Sequence, residues 1–67
     1  MPLHALRDEA GRWFAETGRR RWWTDDPTDP NVIASDDLRF LDWLADNVTE
    51  DGHLGSIEVA KMPTVST

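Results

Sequence analysis

The sequence predicts a small α+β domain in which two amphipathic helices pack on a short two-stranded antiparallel sheet, in the order α-β-α-β. Three observations predict it. Residues 3–17 and 35–48 space their apolar side chains with a helical period, residues 19–24 and 56–62 have strand composition, and turn residues separate all four stretches. A length of 67 residues admits one domain, read as residues 1–62 followed by a flexible tail over 63–67.

In the first stretch Leu3, Leu6, Ala10, Trp13, Phe14 and Thr17 fall in a stripe about 100° wide at about 100° per residue. His4, Arg7, Asp8, Gly11, Arg12 and Ala15 lie outside it, so the expectation is a helix opened by Pro2 and closed by Gly18. Residues 19–24 then read as a strand, because Trp22-Trp23-Thr24 favours a pleat and Asp25-Asp26-Pro27-Thr28-Asp29-Pro30 is turn chemistry. Ser35 is a suitable N-cap for the second helix, with Asp36 and Asp37 where a helix N-terminus favours anions. Leu38, Leu41, Leu44, Ala45 and Val48 form its core stripe. Phe40 and Trp43 do not belong to that stripe: with Leu41 at zero they fall near about −100° and about −160°. Thr49-Glu50-Asp51-Gly52 reads as a turn and residues 56–62 as a second strand, with Ile57 and Val59 inward and residues 19–24 as its expected partner.

Composition narrows the function classes. A chain this short buries only about 60% of its unfolded surface, so its core is thin. There is no cysteine, hence no disulfide or thiolate–metal staple, and association is the remaining reinforcement. No apolar run reaches bilayer length and Met1-Pro2-Leu3-His4 lacks signal-peptide character, so the expectation is a cytoplasmic protein with no membrane role. Six arginines against one lysine are the usage of GC-rich coding, as in a bacterial or phage gene. The net charge of −6 is unevenly placed: residues 1–23 carry five arginines against three acids, while residues 24–67 carry ten acids against Arg39 and Lys61. Such polarity suits a basic partner surface facing the acidic half.

Four tryptophans stand in the chain, two of them adjacent in Arg19-Arg20-Arg21-Trp22-Trp23. Adjacent side chains diverge on either a strand or a helix, so Trp22 and Trp23 are expected to split between inside and outside. The arginines beside them are the candidate nucleic-acid contact, cations for phosphates and rings for unpaired bases. The second helix opposes that reading, because Asp36, Asp37, Asp42 and Asp46 repel phosphates.

Residues 47–58 resemble the twelve-residue calcium loop of EF-hand proteins. Oxygen-bearing side chains stand at Asn47, Thr49 and Asp51, Gly52 is sixth, Leu54 eighth and Glu58 twelfth. The stretch departs from the pattern in Asn47 and Thr49, which leave Asp51 and Glu58 as the charged ligands, and in Pro63, which cuts short the helix that should follow. No metal or other cofactor is assigned. His4 and His53 read as solvated surface residues, and no nucleophile, base and oxyanion donor are brought together, so an enzyme is not expected.

These features point to a small acidic protein-interaction module, a regulator or inhibitor that binds a basic surface of another macromolecule. Trp22, Trp23, Phe40 and Trp43 are its candidate apolar anchors and Asp36, Asp42 and Asp46 its charged rim. The alternatives are a homodimeric subunit of a larger assembly closed through Phe40 and Trp43, or a nucleic-acid-binding protein acting through Arg19, Arg20, Arg21, Trp22 and Trp23.

Overall fold

A computed structural model describes residues 3–63 and shows one helix on one five-stranded sheet. The elements are β1 (His4–Asp8), β2 (Trp13–Glu16), β3 (Arg21–Thr24), β4 (Ala34–Ser35), α1 (Leu38–Glu50) and β5 (Ile57–Lys61). The expected two helices on a two-stranded sheet are therefore corrected. The stretch 3–17 is a β-hairpin, and the order is four strands, a helix and a strand. Pro2, the expected helix opener, and residues 64–67 of the expected tail lie outside the described residues.

The hairpin forms because Asp8 and Gly11 supply a tight turn in the middle of the apparent helical stripe. Gly11 N–H donates to the Asp8 carbonyl at 3.0 Å, and Asp8 N–H donates to the Arg12 carbonyl at 3.0 Å. The Asp8 carboxylate, buried at the turn, accepts from Arg12 N–H at 2.7 Å and from Arg12 Nε at 3.0 Å. Gly11 adopts φ +83°, a conformation that a side chain resists. Aspartate at the first and glycine at the fourth position of a turn are favoured in this geometry.

β1 organises the sheet. It pairs with β5 along its whole length, from His4 opposite Lys61 to Asp8 opposite Ile57. On its other side it meets β2 at Arg7–Trp13 and β4 at His4–Ser35 and Ala5–Ala34. Between these contacts β1 and β2 separate, and residues 31–33 bond to β2: Glu16 N–H donates to the Asn31 carbonyl at 3.0 Å and Ile33 N–H to the Phe14 carbonyl at 3.1 Å. β3 pairs with β2, with Trp23 opposite Phe14 and Trp22 opposite Ala15. The expected pairing of residues 19–24 with 56–62 is thus replaced. Each finds its partner in the hairpin of residues 3–17.

α1 starts at Asp37, whose carboxylate accepts from Arg39 N–H and Phe40 N–H at 3.1 and 3.2 Å, so the helix opens later than a Ser35 cap implies. Ser35 Oγ instead accepts from Asp37 N–H at 3.0 Å. The helix buries Leu41, Leu44 and Val48 against Leu6 and Phe14, and Trp23, Ile33, Ala45, Ile57 and Val59 close the core's margin. Leu38, expected in the core, is 51% exposed. Residues in register share a face, so Leu6, Phe14, Trp23 and Val59 point toward α1, while Ala5, Trp13, Ala15 and Trp22 point away from it. Among the described residues no helix is long and apolar enough to cross a membrane.

Gly11→Ala separates the hairpin from the helix by sign. A Cβ at Gly11 meets Arg7 Nη2 at 3.2 Å and forces a residue into positive φ, so urea denaturation should show a loss of about 1–3 kcal/mol. In a helix the same change would gain about 1 kcal/mol. Gly18→Ala, with open space around it, should stay within about 0.5 kcal/mol of the wild type.

Candidate functional site

The outward face of α1 carries an aromatic pair that the core does not use. Trp43 is 60% exposed and Phe40 40% exposed, and their rings stack at 6.3 Å between centroids with planes 27° apart. Three residues of helix bring them together. Beside Trp43 runs a row of exposed carboxylates, Asp42, Asp46 and Glu50, each four residues from the next and hence about 6 Å apart along the axis. Asp36 is exposed just before the helix, and Arg39 is the cation on this face. The ion pairs among the described residues are Arg12–Asp8, Arg21–Glu16 and Arg21–Asp51. Asp36, Asp42, Asp46 and Glu50 belong to none of them, so their charge faces solvent. Phe40, Trp43, Asp36, Asp42 and Asp46 are therefore gathered on the molecule's helical layer.

The loop before this face is acidic as well and built from side chain–backbone turns. Asp26 Oδ1 accepts from the Thr28 hydroxyl at 2.6 Å and from Thr28 N–H at 2.9 Å. These two bonds, the hydroxyl first, hold its pKa below the ordinary carboxylate value. Asp29 Oδ1 accepts from Asn31 N–H at 2.9 Å.

The Arg-Arg-Arg-Trp-Trp cluster is dispersed by the alternation of β3. Trp23 points to the core, edge-on to Phe14 at 5.4 Å, with the His53 ring 4.9 Å away on another side. Arg21 lies on the same face and ties three elements together. Its Nε donates to Glu16 at 3.1 Å, Nη1 to Asp51 at 2.8 Å and Nη2 to Asn47 at 3.5 Å. Trp22 points to the other face, half-buried, with the Arg20 guanidinium 4.7 Å over its ring. Trp13 is buried on that same face with the Arg7 guanidinium 5.4 Å from its centroid. Trp22 and Trp23 thus do not form one patch with Trp43, and Arg21 is already engaged by carboxylates.

The twelve positions 47–58 do not form a calcium loop. α1 runs through Glu50, so Asn47 and Thr49 are helical, and the Thr49 hydroxyl donates to the Ala45 carbonyl at 2.9 Å. Asp51 is bound to Arg21, and Glu58 stands in β5 opposite Arg7. The histidines are not the solvated residues that sequence suggests: both are half-buried, and His4 Nδ1 and His53 Nε2 are buried without a hydrogen-bond partner among the described residues. His4 borders a shallow cleft of about 370 Å³ with Leu38, Arg39, Asp42 and Val59. A second cleft of about 320 Å³ is lined by Arg7, Asp8, Glu9, Gly11, Ser56 and Glu58. Neither brings a histidine beside the Ser56 hydroxyl.

Sequence reasoning missed the apolar character of the helix-free sheet face. Its signal is an alternation, Ala5 with Arg7, Trp13 with Ala15, Trp22 with Thr24 and Glu58 with Ala60, hidden where residues 3–17 are given a helical period. Comparison with protein-family models, with curated proteins and with solved structures gives no match for the chain.

Two measurements check this geometry. Millimolar calcium should leave the melting temperature unchanged, since Asn47 and Thr49 stand on a helix and Asp51 is already bound by Arg21; a rise in Tm would contradict this. Thr28→Val should let the Asp26 pKa rise toward the usual carboxylate range, as read by NMR titration. Because the folded value is the lower one, the stabilisation from these bonds is present above the unfolded pKa and is lost as pH falls through the folded pKa.

Proposed function

We propose that the chain is a small acidic protein-interaction module, a regulator or inhibitor whose α1 docks by its outward face on a basic surface of another macromolecule. The observation that carries this reading is Trp43, a large ring left 60% in water and stacked on Phe40. A tryptophan that leaves water at an interface is among the strongest anchors available. Asp42, Asp46 and Glu50, outside the ion pairs of the described residues and outnumbering Arg39, supply a rim of negative charge, which steers encounter with a cationic surface and rejects anionic ones. Two-fold closure of α1 on its own copy would set two such rows against each other, so like-charge repulsion opposes an isologous dimer through this face. The same repulsion opposes phosphates.

The test is affinity purification from the host that encodes the chain, comparing wild type with Trp43→Asp. The exposed position lets the variant keep its fold, which far-UV circular dichroism verifies. The expected result is a partner recovered by wild type and lost by the variant, with wild-type association slowing as salt is raised. An identical partner set from both proteins would remove α1 as the binding face.

A further inference from the structure

The helix-free face of the sheet breaks the rule that an uncovered face alternates to polar residues. Register places Ala5, Ala15, Ala34 and Ala60 on it together with Trp13 and Trp22. Ala5 and Ala15 are buried under their neighbours, whereas Ala34, Ala60 and Trp22 remain half-exposed. Alanine has nothing beyond Cβ, so the half-exposed Ala34 and Ala60 leave the surface low where they stand, while Ala5 and Ala15 lie out of reach beneath their neighbours.

Its charge is opposite to that of α1. Arg20 lies over Trp22 and Arg7 over Trp13, and Arg19 is exposed in the adjoining turn. Glu58, opposite Arg7, and Glu9 share a cleft with that arginine, so the open positive charge of this face is Arg19 and Arg20 beside Trp22. One chain therefore presents a cationic aromatic surface on its sheet and an anionic aromatic surface on its helix, on opposite sides of a two-layer structure. They cannot meet within one copy.

We infer that the sheet's helix-free face receives the outward face of α1 from a second copy of the chain, in a head-to-tail contact. Trp43 and Phe40 seat beside Trp22, and Asp42, Asp46 and Glu50 meet Arg19 and Arg20. The contact gives each sheet a helix on both faces, the second one borrowed. It also supplies reinforcement to a domain too small to bury much surface alone. Because the two surfaces differ, each copy keeps one of each free, and association continues into a ring or an open chain. The inference rests on α1 being the interaction face and names a partner for it.

Sedimentation of the purified protein tests it. Across a concentration series into the high micromolar range at low salt, the average mass of wild type should rise above the monomer. Trp43→Asp, which lacks the helix anchor, and Arg20→Glu, which reverses the sheet's charge, should each stay monomeric. Mixed, they should form a one-to-one complex that grows no further, since each retains the surface that the other has lost. Its Kd should lie within about tenfold of the wild-type contact. A wild type monomeric throughout overturns the inference, and Trp43-dependent capture of a foreign protein would then leave the proposed function standing. Self-association of Arg20→Glu equal to wild type also overturns it, because the sheet face would play no part. Self-association of Trp43→Asp equal to wild type removes α1 from the contact altogether.

Discussion

A sheet has two faces, and the one thirteen-residue helix among the described residues can cover only one of them. The rest of this structure follows from that shortage. On the helix side the solution is ordinary burial: Leu41, Leu44 and Val48 close over Leu6 and Phe14. On the other side the sheet covers itself. The exposed Arg7 and Arg20 lay their guanidinium groups over Trp13 and Trp22, each contact contributing about 0.5–1 kcal/mol, and Ala5 and Ala15 are buried on the same face.

The same shortage explains what the sequence reveals and what it conceals. α1 is legible because its core stripe of Leu41, Leu44 and Val48 is uninterrupted and bounded by capping residues. Its off-stripe residues are legible for the same reason, since fixed helical angles alone set Phe40 and Trp43 apart from the core. The two strands at 21–24 and 57–61 are legible from composition. Residues 3–17 mislead because Leu6, Trp13 and Phe14 fit a helical stripe by coincidence. In the fold, Leu6 and Phe14 face α1 and Trp13 faces away. The Asp8-Glu9-Ala10-Gly11 turn is the counter-signal, and it governs because glycine with φ +83° and a buried aspartate bonded to Arg12 interrupt any helix. Without that hairpin, the remaining strands have no partner but each other.

Charge undergoes a parallel translation from sequence into space. Along the chain, arginines precede and acids follow. In the fold Arg12 and Arg21 are drawn into ion pairs with Asp8, Glu16 and Asp51, and Arg7 and Arg20 sit with the tryptophans of the sheet. The acids of residues 36–50 stay on the helical layer, so an asymmetry along the sequence becomes one between layers. Arg21 keeps those layers in fixed relation by bonding a strand and the end of the helix at once.

The pairing of β1 with β5 has a consequence for biogenesis. The central strand leaves the ribosome ahead of every other element of the sheet and its longest partner follows them all, with Asp8 meeting Ile57 and His4 meeting Lys61. Contacts so distant in sequence must bear the entropy of closing a loop that holds every other element before they return any stability. The β1–β2–β3 meander can form locally during translation, but one edge of β1 and the apolar undersides of Leu6 and Phe14 stay uncovered until α1 and β5 emerge. Completion of this fold therefore waits for β5, and the nascent chain passes through a stage with an open strand edge of the kind that molecular chaperones engage.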